Sequence, residues 1–262
     1  MMVNKLNNLS GKDWIRFTKS WFTINAHTRT KGQIQHPAKY PEELVAEFVS
    51  FFTKEGEIVL DPFVGVGSTM IGCQNTFRKS IGIELNPFFA EEANKYLNPA
   101  YSRLLQGDCR VLLKQIENDS IDFIMTSPPY WDMLKKARGH SNSQHKERAA
   151  KELPLYYSDD IRDLGNITDY TEFLTELTRI FLQCADKLKS KKYMCIVVQN
   201  FRNTDGAYIT LAWDIVRQLS ECMCFCGEKI WIQENKTLGI WGYPSKFIPN
   251  IHHHYCLIFQ KI

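Results

Sequence analysis

The segment TSPPYWD, residues 126–132, carries the most specific chemistry in the chain. Pro128 and Pro129 fix φ and have no N–H, so the backbone there runs stiffly extended and offers carbonyl oxygens as unpaired acceptors. Such acceptors suit an amine. The exocyclic nitrogen of cytosine or adenine is a poor nucleophile because its lone pair is delocalised into the ring. If the Pro128 carbonyl and the Ser127 side chain hold its hydrogens, that lone pair is turned toward an electrophile such as a sulfonium methyl, and positioning supplies most of the catalysis. Tyr130 offers a ring face for a base extruded from a duplex, a stacking worth about 1–3 kcal/mol in related settings.

A second constellation lies upstream. DPFVGVGST follows a β-rich run, which puts Gly65 and Gly67 in a strand-to-helix turn where backbone can approach a ligand closely. Met70 stands where the third glycine of a dinucleotide fingerprint would be, so a nicotinamide cofactor fits less well than an adenosyl one. Glu84 ends the next β-rich run, where a carboxylate can accept both hydroxyl hydrogens of a ribose. Asp108 ends the third, placed either to accept from an adenine amine or to cap a helix. Asp61, Glu84 and Asp108 thus close three consecutive strands, which favours a bound nucleoside.

Short β-rich runs alternating with helical patterns position these residues. Strands are predicted at 57–61, 79–85, 102–107, 121–126 and 192–198, and helices between them. One helix is predicted to begin at Pro41, to present Leu44, Val45, Phe48, Val49 and Phe52 on one face and to end at Gly56. Others follow Pro87, span 171–188 and span 208–220. The strands 224–233 and 255–260 are expected to pair antiparallel at one edge. The expected fold is α/β, a mostly parallel sheet with an antiparallel edge strand and helices on both faces. The 262 residues, 44% of them hydrophobic, can fill one large core. A single domain over 36–262 is therefore expected, preceded by a basic and aromatic arm over 1–35 and interrupted by a long loop at 132–168.

Several classes fall away on composition. No run reaches the eighteen or so apolar residues of a membrane span, and the amino terminus lacks an apolar leader, so a cytoplasmic location is expected. The eight cysteines are scattered, which suits reduced thiols. Cys222, Cys224 and Cys226 alternate as on a half-buried strand, and His252, His253 and His254 run into an apolar strand; neither set has metal-site spacing, so no metal is expected. The formal charge of +3 permits a polyanionic partner without requiring one.

Together these segments resemble the DNA amino-methyltransferases, the N4-cytosine and N6-adenine group of the Rossmann-like methyltransferases. DPFVGVGST is similar to their motif I, IGIELNP to motif II, GDCRVLL to motif III, TSPPYWD to catalytic motif IV, and HPAKYPEELV at 36–45 to motif X. The resemblance is dense over 36–131 and looser beyond. It implies S-adenosylmethionine as cofactor, held by His36, Pro37, Lys39, Asp61, Pro62, Phe63, Gly65, Gly67, Ser68, Thr69, Glu84, Leu85, Asn86, Asp108 and Cys109. By the same resemblance Ser127, Pro128, Pro129 and Tyr130 bind the target amine. Serine at the first position of SPPY leans toward N4 of cytosine over N6 of adenine.

DNA is the implied partner, with a cognate restriction endonuclease as a further one. No membrane partner is expected, and the oligomeric state is left open. Lys135, Lys136, Arg138, Lys146 and Arg148 follow the catalytic turn at a density suited to phosphate contacts. The arm interleaves Lys12, Arg16, Lys19, Arg29 and Lys31 with Trp14, Phe17, Trp21 and Phe22, which suits either DNA contact or a packed amphipathic helix. An RNA substrate and a non-catalytic nucleic-acid-binding subunit are the competing readings.

Overall fold

The computed structural model describes residues 4–24, 40–131, 160–203 and 206–262. The central sheet is assembled from β1 (Trp21–Thr23), β2 (Ile58–Asp61), β3 (Lys79–Glu84), β4 (Ser102–Gln106), β5 (Ile121–Thr126), β6 (Leu188–Val198), β9 (Cys224–Ile232) and β10 (His253–Gln260). Their spatial order is β1-β9-β10-β6-β5-β2-β3-β4. Every neighbouring pair is parallel except the two that involve β10. The last two strands do pair antiparallel. β1, which no sequence pattern announced in so short a run, pairs parallel to β9 and becomes the outermost strand on that side. A separate hairpin joins β7 (Phe201–Arg202) to β8 (Tyr208–Ile209).

The helices are α1 (Gly11–Phe17), α2 (Glu42–Phe52), α3 (Ser68–Asn75), α4 (Pro87–Asn94), α5 (Cys109–Leu112), α6 (Tyr170–Lys187) and α7 (Leu211–Leu219). Two apolar clusters lie on opposite faces of the sheet, because successive side chains of each strand point opposite ways. Val59, Phe123, Met125, Cys195 and Val197 meet α2 on one face. Leu60, Ile124, Met194, Ile196 and Val198 meet α6 and α7 on the other. β5 is buried along its whole length, as expected of a central strand covered on both faces. Gly72 sets the approach of α3 to α2, since a Cβ there would lie 2.6 Å from the Cβ of Val45.

Some helix ends differ from the sequence expectation. Pro41 is the N-cap of α2 and not its first residue; its extended backbone orients the entry while its carbonyl accepts from the Val45 N–H at 3.4 Å. The helix stops at Phe52, where the Thr53 hydroxyl turns back to the Val49 carbonyl, and Gly56 lies beyond in the turn into β2. The helix expected over 208–220 is shortened at its start because Tyr208 and Ile209 pair with Phe201 and Arg202. Two aromatic residues of the amino-terminal segment pack inward, Phe17 stacking on Phe51 at 3.9 Å and Trp14 lying 4.7 Å from the same ring, whereas Trp21 is exposed beneath Lys19; Arg29 and Lys31 fall outside the described residues. Among the described residues no helix is long and apolar enough to cross a membrane.

At the amino-terminal edge of the central strands, Asp122 accepts from Lys189 at 2.8 Å and from the Ile58 N–H at 3.0 Å, with Lys192 at 3.4 Å bridging to Glu57. This group ties β2, β5 and β6 together opposite the site described next.

Candidate active site

The carboxyl ends of β2, β3, β4 and β5 open on one cavity of about 900 Å³, counted out to its solvent mouth. That size lies in the range of small-molecule sites. Glu84, at the tip of β3, forms one wall. Its Oε2 accepts from the Gly65 N–H at 2.8 Å and its Oε1 from the Asn86 N–H at 2.8 Å, so each oxygen keeps lone pairs for a ligand. Burial pushes this carboxyl up to about 7, opposed by those two backbone donors and assisted by the neighbouring charges of Asp163 and Asp61.

The glycine turn makes the floor. Gly65 and Gly67 both take positive φ, +55° and +91°. At Gly67, the left-handed N-cap of α3, a Cβ would also press to 3.2 Å from the Cβ of Ala93. Pro62, Phe63 and Ser68 line the same floor, and Leu85 and Asn86 extend the Glu84 wall.

Asp108 and Cys109 close the far end. Asp108 caps α5 through the Arg110 N–H at 2.9 Å, and the Arg110 guanidinium grips the same carboxylate at 2.8 to 3.1 Å. Partial burial raises the Asp108 pKa, but Arg110 outweighs it and holds the group below the usual carboxylate range. Of the two sequence readings of Asp108 the helix cap is seen directly, and the same residue also lines the cavity. The Cys109 thiol is pushed up to about 12 by burial and stays a neutral wall group.

The Pro-Pro turn faces this cavity: Ser127, Pro128 and Pro129 line it together with Glu84 and Asp108. Asp61, at the tip of β2, lies beneath the floor and does not line the cavity. Its carboxylate accepts from Thr69 Oγ1 at 2.5 Å, Thr126 Oγ1 at 2.6 Å, the Phe63 N–H at 3.0 Å and the Tyr40 hydroxyl at 3.3 Å. Thr126 is the residue before Ser127, and Thr69 opens α3. One buried carboxylate thus fixes the glycine turn and the Pro-Pro turn relative to each other; burial raises its pKa despite these donors.

Tyr130 corrects an expectation. Its ring is buried edge-on to Phe201, with centroids 6.2 Å apart, and does not line the cavity, so it supports the turn from below and offers no open stacking face here. Gly67 and Thr69 likewise lie behind the walls. His36, Pro37 and Lys39 fall outside the described residues, as do Lys135, Lys136, Arg138, Lys146 and Arg148.

Sequence reading missed Tyr40, Arg110, Arg162, Asp163 and Leu164, all of which line the cavity. Tyr40 adjoins the quoted 36–45 motif, and its hydroxyl meets both Thr69 and Asp61. The others come from the far end of the long loop and from α5. The Asp163 side chain accepts from the Gly165 N–H at 2.9 Å to start a single 3-10 turn, and the Arg162 carbonyl accepts from Arg110 at 2.8 Å. No local pattern marks these residues.

The sheet order and the site at its carboxyl edge define a Rossmann-like methyltransferase fold. A putative rRNA methylase from Clostridium thermocellum shares it, with a TM-score of 0.51 at 13% identity, over 87% of this chain and 100% of that one. Residues 4–95 match the family model described as DNA methylase. The type II methyltransferase M.HpaI of Haemophilus parainfluenzae is 32% identical over 117 residues, 45% of this chain and 36% of the relative. The orphan methyltransferase M.BamHII of Bacillus amyloliquefaciens is 36% identical over 93 residues, 34% and 35% of the two chains. Over these segments the chain is similar to DNA methylases, and its matches span about a third of the length of these curated relatives.

Proposed function

We propose that this protein transfers a methyl group from S-adenosylmethionine to the exocyclic amine of a base in DNA, with N4 of cytosine ahead of N6 of adenine. The observation that carries the reading is the single cavity walled by Glu84, Asp108 and the Ser127-Pro128-Pro129 turn. The donor set fits the cofactor: Glu84 retains acceptor capacity for the two ribose hydroxyls, Asp108 lies where an adenine amine can donate, and the glycine turn admits close approach of a chain bearing charge. When bound, the cofactor supplies an electrophilic methyl on a sulfonium.

The chain's own residues do the rest. The Pro128 carbonyl and the Ser127 hydroxyl accept the hydrogens of the target amine and so aim its lone pair into the cavity. Stiffness of the Pro-Pro backbone holds that aim, and Asp61 through Thr126 keeps the turn in register with the cofactor floor. No strongly basic residue is required, because the nitrogen becomes cationic and acidic once it has taken the methyl, and its proton then passes by way of the Ser127 hydroxyl or Pro128 carbonyl to water. The basic residues 135–148 supply phosphate contacts, and the base is turned out of the duplex to reach the turn.

Transfer of labelled methyl to amplified, methylation-free DNA, with RNA of the same sequence alongside, tests this reading. Label on DNA is expected; label confined to RNA, or none at all, would refute it.

Glu84 gives a pH dependence of definite sign. Its two hydroxyl partners favour the ionised carboxylate, so cofactor affinity should fall as pH drops below about 7, approaching tenfold per unit. The same raised pKa acts oppositely on the free fold: Glu84 stabilises it most below its unfolded pKa, and this contribution is lost as pH rises through about 7. Titration calorimetry between pH 5.5 and 8.5 checks the first, and Glu84→Gln should flatten the profile while weakening binding about 30-fold or more. A parent profile that is already flat would remove Glu84 from ribose recognition.

A further inference from the structure

The segment between β9 and β10, residues 233–252, leaves and re-enters the sheet at its carboxyl edge. The registers place it: Ile232 pairs with His253, Tyr255 with Val198 and Ile196 with Thr126, so its root stands beyond the level of the Pro-Pro turn. Only β6 separates β10 from β5, a lateral distance of about 10 Å at two strand spacings. The Gln199 side chain donates to the His253 carbonyl at 2.7 Å and bolts the root to the end of β6.

This segment carries an apolar patch that the other described residues leave exposed. Leu238, Ile240, Trp241, Tyr243 and Phe247 are all exposed, Tyr243 at 83% and Phe247 at 89%. Yet the backbone beneath them is fixed. The Asn250 side chain accepts from the Gly239 N–H at 2.9 Å and from Trp241 Nε1 at 3.0 Å, and donates to the Gly239 carbonyl at 2.9 Å. The Gly242 carbonyl, at a residue of φ +71°, accepts from the Lys246 N–H at 2.7 Å. These bonds tie down the Trp241 ring and the backbone turn at 242–246, and a backbone already ordered loses less freedom when its side chains find a partner.

We infer that the 233–252 segment is the element that contacts the DNA duplex beside the extruded base, with Tyr243 and Phe247 as an apolar wedge against the neighbouring base steps. The inference rests on the transfer reading above and names the surface that reading lacks. Three observations favour nucleobases as the occupant. The segment is rooted at the same edge as the turn that must receive a flipped base, two strand spacings or about 10 Å to its side, which is a few base steps. It is aromatic, and flat rings suit the π-faces exposed when a base leaves the stack. It also bears the exposed Lys246 between Tyr243 and Phe247 in sequence, a cation suited to the phosphates flanking that gap.

The test compares the full chain with Tyr243→Ala/Phe247→Ala and with Lys246→Ala. Readouts are cofactor affinity, filter binding to amplified DNA of several kilobases across a salt series, methyl transfer to the same DNA, and sedimentation. The double variant should bind DNA about tenfold or more weakly at every salt concentration, with an unchanged salt slope and unchanged cofactor affinity. Lys246→Ala should instead lower the slope by about one. Equal DNA affinity and transfer in parent and double variant would overturn the wedge while leaving the chemistry standing. A change in self-association with no change in DNA affinity would overturn it in favour of a second copy of the chain. If the parent transfers no methyl but loses DNA affinity on substitution, the chemistry falls and the wedge remains.

Discussion

Asp61→Ala should lower stability by about 3–5 kcal/mol and abolish transfer, the largest combined effect expected of any single change. The carboxylate is buried and receives Thr69, Thr126, Tyr40 and the Phe63 N–H. Removing it strands those donors where no water replaces it, and it frees the glycine turn from the Pro-Pro turn at once. For a chain of this size the thermal midpoint should fall by roughly 10 °C. Asp61→Asn separates the two consequences, because the amide keeps the volume and one acceptor oxygen. It should recover most of the stability while transfer remains depressed. Calorimetric unfolding with single-turnover transfer on both variants checks this; an Asp61→Ala protein with parental stability and rate would show that the relay positions nothing.

Replacing both Pro128 and Pro129 by glycine should lower kcat about 100-fold or more while cofactor affinity changes less than about threefold. The prolines touch the cavity but contribute no side-chain hydrogen bond. What they supply is a fixed aim for the carbonyl and hydroxyl that hold the amine, and an error of about 1 Å there costs two orders of magnitude. Fold stability should change little, since Tyr130 and Thr126 anchor the turn on either side through the Phe201 contact and the Asp61 hydrogen bond. Equal losses in kcat and in cofactor affinity would mean that the turn belongs to the cofactor floor and not to the target amine.

The fold was legible where hydrophobic periodicity and punctuation agree. β5 appears at its full predicted length because IDFIMT is a short, β-branched apolar run bounded by turn residues, which suits a strand covered on both faces, and α4 begins at Pro87 as proline at a first helical position implies. β6 starts earlier than predicted, at Leu188, because LKSKK is polar. Its pairing with Ile121 and the left-handed Lys191 are set by neighbours that the local sequence does not reveal. β1 exists through partners more than 200 positions away, and Trp14, Phe17 and Phe22, which helped suggest a nucleic-acid arm, pack on Phe48 and Phe51.

The site shows the same division. Glu84, Asp108 and the Pro-Pro turn could be picked out because strand ends and prolines have local signatures. Tyr40, Arg162 and Asp163 could not, because each reaches the cavity through tertiary contact alone. Asp61 and Tyr130 were read from sequence as facing the ligands, and local sequence could not say that both side chains lie outside the cavity lining. Both turn out to hold the walls in place from behind.

The central claim is that the Pro-Pro turn presents an exocyclic amine to a methyl donor bound at the tips of β2 to β4. Enzymatic digestion of the methylated DNA to nucleosides, followed by mass spectrometry of the labelled product, tests it most directly. N4-methylcytosine is the predicted product, and N6-methyladenine would keep the mechanism while changing the base. A methyl group on a ring carbon, as in 5-methylcytosine, would contradict the account, because that chemistry needs a nucleophile attacking the ring and no amine for the turn to hold.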